Sequence, residues 1–423
     1  MTRRYFLQSS GALALYCGVT PFELLAAADP LLPVVKRHKT LVVVFLRGGM
    51  DGLNFVVPFG DAAYYQLRKG LALARPGEEG GVLALTDYFG LHPRAASLAP
   101  LFKSGLATSI QAVGYAHNTR SHFEEQDVWE TGVVGNTVNS DGWLNRHLLT
   151  SEGRGTVRAV SFGDNLPRIL RGKASAVAVR GLQDLSLPAK DSNQEMQLAA
   201  ALEHAFAPGG HTLEKEALDL LAKTGGATLD GVAQLRDLVS GTYEPKAVYP
   251  DNGFAKKLRE AARLIKADVG VEVMGIDYGG WDTHSNQGAL TGSYGNMMQT
   301  LSDGLAAFTQ DMDGYMDDVL VLTLTDFGRT AAENGTGGTD HGWANCMLAV
   351  GGPVMRANQN AARPVIGSWP GLDRESLHEK RDLAHTTDFR DVLGEVVSVH
   401  LGNPNLKSIL PSHDFKPVGL VVG

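Results

Sequence analysis

The sequence predicts an α/β protein: a mostly parallel central sheet with helices on both faces and an inserted cap region. Two observations predict it. Short, largely apolar runs recur at Leu41 to Leu46, Leu106 to Val113, Val271 to Ile276, Val319 to Leu324 and Cys346 to Val350. Runs of that length are too short for most helices and suit strands buried on both faces. The second observation is the placing of acidic and imidazole groups relative to those runs. Asp51, the pair Asp282 and His284, Asp326, and Asp340 with His341 all lie at or just beyond a predicted strand or immediately before one. In an open α/β sheet the loops at the carboxyl ends of the strands converge on one crevice, where ligands bind.

The chain opens with an export signal. Arg3-Arg4 precedes a weakly apolar run from Gly11 to Val19, and Ala26-Ala27-Ala28 supplies small residues for cleavage before Asp29. Charged, apolar and small-residue regions in that order are a signal-peptide layout, and the paired arginines point to the twin-arginine route. Residues 1–28 are therefore expected to be removed outside the cytoplasm, in the periplasm or on secretion, with the translocon a partner in transit. The apolar run falls well short of the ~20 residues a membrane span needs, so no stable anchor is expected. Cleavage leaves roughly 395 residues, enough for one large α/β domain with insertions or for two smaller domains, and the former is the expectation.

Composition narrows the function. The chain has 423 residues, 43% hydrophobic and 20% charged, with a net charge of −8. That acidic balance argues against nucleic-acid binding, which needs basic surface. An anionic small substrate stays open, because a bound metal dominates its local field. Only Cys346 remains after cleavage at Ala28, so no intramolecular disulfide is expected in the mature chain.

Along the chain, strand, loop and helix alternate from Lys39 to about Gly132, with Ser121 to Thr131 reading as a helix. From about Gly142 to Asp251 the signals blur, and this stretch is read as the insertion. It holds short strands at Val157 to Phe162 and Ala176 to Val179, and helical text at Glu195 to Phe206 and Leu213 to Leu221. Regular text resumes at Phe254, where Phe254, Leu258, Ala261, Ala262 and Ile265 share one helix face. Helices are predicted again at about Tyr294 to Met316 and Asp388 to His400. The Gly-rich stretch from Gly335 to Gly338 matches neither a dinucleotide fingerprint nor a P-loop.

The candidate ligands differ in how much each says alone. Asp51 sits behind Gly48 and Gly49, which let backbone approach a ligand closely, yet it reads equally well as a turn aspartate. Asp282 and His284 alternate, so both point the same way in an extended segment. Asp326 ends a strand directly. Together with His341 they offer three carboxylates and two imidazoles, a mixed set that transition metals accept. Ser121 stands at a predicted helix start, where free N–H groups and the helix dipole favour an anion. It reads either as an N-cap in a capping box with Glu124 or, beside a metal, as a nucleophile. Arg120 next to it either binds an anionic substrate bidentately or faces solvent.

The order of these motifs resembles the alkaline phosphatase and sulfatase superfamily. The whole chain is more closely similar to the exported DUF1501 family. That closer similarity runs from Arg3-Arg4 through Leu46 to Asn54, Arg120 to Phe123, Thr325 to Thr330 and Asp340 to Trp343, ending at Thr386 to Arg390. The superfamily resemblance implies an alkaline-phosphatase-like fold, one metal on Asp282, His284 and His341, and a second on Asp51, Asp326 and nucleophilic Ser121. The second metal of that pattern also takes a histidine immediately after the strand-end aspartate, and here Phe327 stands there. His122 and Asp340 are the residues placed to compensate. The expectation is a divalent metal (zinc, manganese, iron or calcium), one ion rather than two, in a hydrolase of phosphate or sulfate esters acting on a small-molecule or polymer substrate. The competing expectation is a non-catalytic binding or assembly protein with a degenerate site. A Ser/His/Asp acyl hydrolase is disfavoured, since the chain has no Gly-x-Ser-x-Gly elbow.

The export reading has a direct test. Replacing Arg3 and Arg4 together by lysine leaves precursor in the cytoplasm; mature protein still accumulating outside the inner membrane would show another route.

Overall fold

In a computed structural model, residues 38–135, 140–153, 157–182, 242–360 and 362–423 are described. They belong to a unit running from His38 to Gly423. The signal segment 1–28 and both predicted helices at Glu195 to Phe206 and Leu213 to Leu221 lie outside the described residues.

Nine strands form the central sheet: β1 (Thr40–Arg47), β2 (Ala107–Gly114), β3 (Ala159–Phe162), β4 (Val177–Val179), β5 (Val273–Gly279), β6 (Val319–Thr325), β7 (Asn345–Gly351), β8 (Val365–Ile366) and β9 (Thr387–Asp388). Their spatial order is β8-β2-β7-β6-β1-β5-β3-β4, with β9 also pairing β2. All pairings are parallel except those of β7, which runs antiparallel to both β2 and β6. A mostly parallel sheet is thus what the apolar runs form. β1 lies in its middle with every residue from Thr40 to Leu46 buried.

Alternation along β1 shows why the sheet is covered on both sides. Val42, Val44 and Leu46 join one apolar cluster, while Leu41, Val43 and Phe45 join another. On the first face pack α3 (Gly253–Lys266) and α4 (Ser293–Asp311), through Phe254, Leu258, Tyr294, Met298 and Leu305. On the second pack α1 (His122–Thr131), α2 (Trp143–Thr150) and α5 (Phe389–Glu395), through Trp129, Trp143 and Phe389. α2 and α3 thereby bury the stripe that their 3.6-residue period lines up, whereas α1 buries Glu125 and Glu130 beside Val128 and Trp129. Among the described residues no helix is long and apolar enough to cross a membrane.

One boundary moves. The strands at Ala159–Phe162 and Val177–Val179, read from sequence as part of the insertion, extend the central sheet beside β5. Short strands at a sheet edge carry too little periodicity to separate them from a cap. The rest of the expected insertion, 183–241, lies outside the described residues. The antiparallel direction of β7 is a finding of the structure alone, since an apolar run carries no sign of parallel or antiparallel pairing.

Candidate metal centre

β1, β5 and β6 run side by side and parallel, so their carboxyl ends, Arg47, Gly279 and Thr325, open on one edge. The loop after β1 turns at Gly48 with φ of 116°, in the region that favours glycine. A Cβ there would lie 2.6 Å from the backbone nitrogen of Asp282, so the absence of a side chain lets the two loops touch. Beyond β6 the chain pairs with its own return: Arg329 bridges to His341, and Thr330 N donates to Asp340 O at 2.9 Å. Asp282, His284 and His341 are thus brought together.

Four side-chain atoms converge. The Oδ1 of Asp282 lies 3.0 Å from His284 Nε2, 3.2 Å from His341 Nε2 and 3.5 Å from His122 Nε2. The Nε2 atoms of His284 and His341 are 2.9 Å apart. Ligand atoms of His122, Asp282 and His341 all fall within 4.8 Å of one another. Ligands at 2.0–2.2 Å around a tetrahedral ion are about 3.3 Å apart, close to most of this spacing.

The outer nitrogens explain why the inner ones face inward. His122 Nδ1 donates to Asp326 Oδ2 at 2.5 Å, His284 Nδ1 to Asp340 Oδ1 at 2.9 Å, and His341 Nδ1 to the Arg120 carbonyl at 2.8 Å. A carbonyl or an ionised carboxylate can only accept, so in the neutral rings Nδ1 carries the hydrogen and Nε2 presents a lone pair. Metal-ligating histidines are oriented in this way. The buried Nε2 of His122 has no hydrogen-bond partner. His122, Asp282 and His341 form a set that fits a divalent metal, and His284 Nε2 lies beside it, 3.0 Å from Asp282 Oδ1 and 2.9 Å from His341 Nε2.

The electrostatics act on the cluster in both directions. Burial raises the Asp282 carboxyl, but the Arg329 hydrogen bond and charge, with His284 and His122, outweigh it and hold it at about 2. Asp326 hydrogen bonding raises His122, whereas burial lowers His341. His284 and Asp340 lock together, and that hydrogen bond lowers the Asp340 carboxyl. Side-chain exposures of 46% for Asp282 and 43% for His284 leave the centre open to an incoming ligand.

Three expected roles change. Asp326 is not a free ligand: Gly48 N donates to its Oδ1 at 3.1 Å, and Gln126 Nε2 and His122 Nδ1 donate to Oδ2. It orients His122 instead. Asp51 is fully buried and paired with buried Arg68 at 2.5 Å, and Gln287 Nε2 donates to the same oxygen at 2.6 Å. A guanidinium supplies positive charge where the superfamily resemblance implied a second metal. Arg120 turns its guanidinium to Asp382 and Glu379, at 2.8 and 2.5 Å, and only its carbonyl reaches the centre.

Ser121 is the N-cap of α1 but makes no capping hydrogen bond, and Glu124 is exposed, so the capping box is not formed. The buried carboxylate of Glu125 serves the loop instead, accepting from Thr119 N and Oγ1 and from Tyr115 OH. His122, read from sequence only as a residue placed to compensate for Phe327, is a full member of the cluster. The sign available in the sequence is its place at the start of a predicted helix, directly after Ser121. Phe327, where the superfamily pattern has a histidine, is buried, with its ring centroid 4.7 Å from that of His122 and 4.6 Å from that of His341.

The profile of one protein family, described as a protein of unknown function, DUF1501, matches residues 90–402. The chain belongs to the DUF1501 family. All four converging side chains lie inside the matched region. No curated protein matches this DUF1501 chain. Among solved structures it is similar to the PH0037 protein from Pyrococcus horikoshii, 12% identical, covering 75% of this chain and 86% of that one, with a TM-score of 0.29. It is also similar to the PsFucS1 sulfatase from Pseudoalteromonas sp., 13% identical over 78% and 71%, TM-score 0.27. A third is Ps i-CgsB in complex with k-i-k-neocarrahexaose, 11% identical over 87% and 72%, TM-score 0.31.

The Asp51–Arg68 pair predicts a stability effect. Arg68→Met leaves a buried, uncompensated carboxylate and lowers unfolding free energy by about 3–5 kcal/mol. Adding Asp51→Asn recovers much of that loss. Urea unfolding midpoints of the three proteins test it; a single variant as stable as wild type would show that the pair is not holding a buried charge.

Proposed function

We propose that this protein is an exported hydrolase of phosphate or sulfate esters that works with one divalent metal. His122, His284, His341 and Asp282 would hold the ion. The observation that carries the reading is the convergence of three Nε2 atoms, each with its Nδ1 held from behind, on one carboxylate oxygen. Once bound, a metal supplies Lewis-acid polarisation of an ester oxygen and lowers the pKa of a bound water.

The residues around it favour an anionic ligand. Three of the four ligands are neutral, and the charge of Asp282 is offset by Arg329 at 2.7 Å. A divalent ion held this way keeps most of its charge for an anion at an open position. The half-exposed ligands give access to a small ester or to one on a polymer. Ser121 precedes His122 at the start of α1, and its hydroxyl makes no capping hydrogen bond. That supports it as the nucleophile, with the helix N-terminus favouring the tetrahedral anion. Export by the twin-arginine route suits a chain that acquires its metal in the cytoplasm and crosses folded.

A second reading, a non-catalytic binding or assembly protein, is favoured by one observation: the guanidinium of Arg120 is taken by two carboxylates and does not face the centre.

Protein purified without chelators should carry about one transition metal per chain, the stoichiometry of a site of this kind. His122→Ala and His341→Ala should each remove it. Metal analysis finding none in the wild type would overturn the metal reading. Ser121→Ala should abolish turnover of activated phosphate or sulfate esters, with metal content and melting temperature unchanged because no side-chain cap is lost. Full activity in that variant would remove Ser121 from the chemistry, and a metal-loaded wild type inert to both ester classes would favour the binding protein.

A further inference from the structure

The carboxylate of Asp382 is shielded from solvent and faces two guanidiniums. Arg120 donates to it through Nε at 3.0 Å and pairs through Nη2 at 2.8 Å, and Arg381 Nη1 donates at 3.2 Å. The other end of Arg381 donates from Nη2 to the carbonyl of His341 at 2.9 Å. Arg120 in turn offers its own carbonyl to His341 Nδ1. One buried carboxylate therefore grips both the residue that accepts from the His341 ring and the residue that holds the His341 backbone.

The backbone is bent to make this grip. Arg120 has φ of 60°, and Glu379 and Lys380 have φ of 52° and 58°. Arg381 N donates to His378 O at 3.0 Å across those two residues, closing a tight turn whose middle positions favour glycine or asparagine. Non-glycine residues persist in that region only where the surroundings over-determine them. Here Trp343 packs against His378, ring centroids 3.9 Å apart, and lies 5.2 Å under the Arg120 guanidinium.

We propose that the strap 378–382 is a clamp on the metal centre, with Asp382 a positioning residue that sets metal affinity through Arg120 and Arg381. It rests on the metal reading above. By fixing both partners of His341, the clamp fixes which ring nitrogen carries hydrogen and where Nε2 points. Loss of an outer partner of a ligating histidine typically weakens metal binding about 10–100-fold.

The test is Co²⁺ titration of the full chain, followed by the visible ligand-field bands, with thermal unfolding of the metal-free protein alongside. Asp382→Asn should weaken Co²⁺ binding about 10–100-fold and change band intensity. Arg381→Gln should shift both in the same direction by less. Arg381 is the more exposed partner, 42% against none for Asp382, so this variant decides the matter if Asp382→Asn does not fold. Wild-type affinity and spectrum in the folded variants, with only unfolding temperature lowered, would reduce the strap to a brace and overturn the clamp. A wild type that takes up no Co²⁺ would overturn the metal reading itself and the clamp with it.

Discussion

The guanidinium of Arg329 is fully enclosed where the loops of the carboxyl edge meet, and its fixed fork of donors sets how those loops stand. Nε donates to Gly49 O at 2.6 Å, Nη1 to Thr339 O at 3.0 Å, and Nη2 to Gly48 O, to Trp281 O and to Asp282 Oδ1. A buried cation without partners costs several kcal/mol, so the loops after β1, β5 and β6 and the return before β7 are stable only when closed around it. A lysine, with one compact charge and no planar fork, would not bridge the same set. The side-chain cluster at the edge inherits this closure. Asp282 takes part in it and meets the imidazoles as an ion held near pKa 2.

The second constraint links sheet to helix. Asp326, at the end of β6, is tied to the Gly48 nitrogen on one oxygen and to His122 and Gln126 of α1 on the other. Gln126 also accepts from Arg47 at the end of β1. The first turn of α1 is therefore registered against two strands before any ligand arrives. That is the condition for holding a ligand set to a few tenths of an ångström, which loops alone do poorly.

Much of this was legible because burial writes a period into sequence. The runs at Leu41, Val319 and Cys346 are strands, and Asp282, His284 and His341 do meet at one edge. What escaped was charge pairing across long separations. Asp51 and Asp326 read as ligands from their strand-end positions, and nothing local says that Arg68 will be buried against one, or that His122 will take the other. Ser121 with Glu124 matched a capping pattern, yet Glu125, one place on, points inward and takes the hydrogen bonds. The short strands at Ala159 and Val177 were too short to tell from a cap. Pattern gives the element and its face; partner choice is decided by the fold.

The Asp51 corner bears on how many ions the crevice can hold. Arg68 donates from Nη1 to Asp51, from Nε to Ala331 O and from Nη2 to Thr330 O, and Asn54 accepts as well. Arg68 and Gln287 both hold Asp51 Oδ2, while Oδ1 is buried without a hydrogen-bond partner, and the enclosed guanidinium beside it repels a second cation. Phe327 raises the barrier further, placing an apolar ring where another imidazole would be needed. Beside Asp51 the chain thus carries a covalently attached charge, and beside His122 an aromatic wall, while the candidate ligands gather around Asp282. A crevice built this way gathers its candidate ligands, among the described residues, at one point only. Its burden then falls on how firmly His122, His284, His341 and Asp282 are held, and each has a named partner behind it.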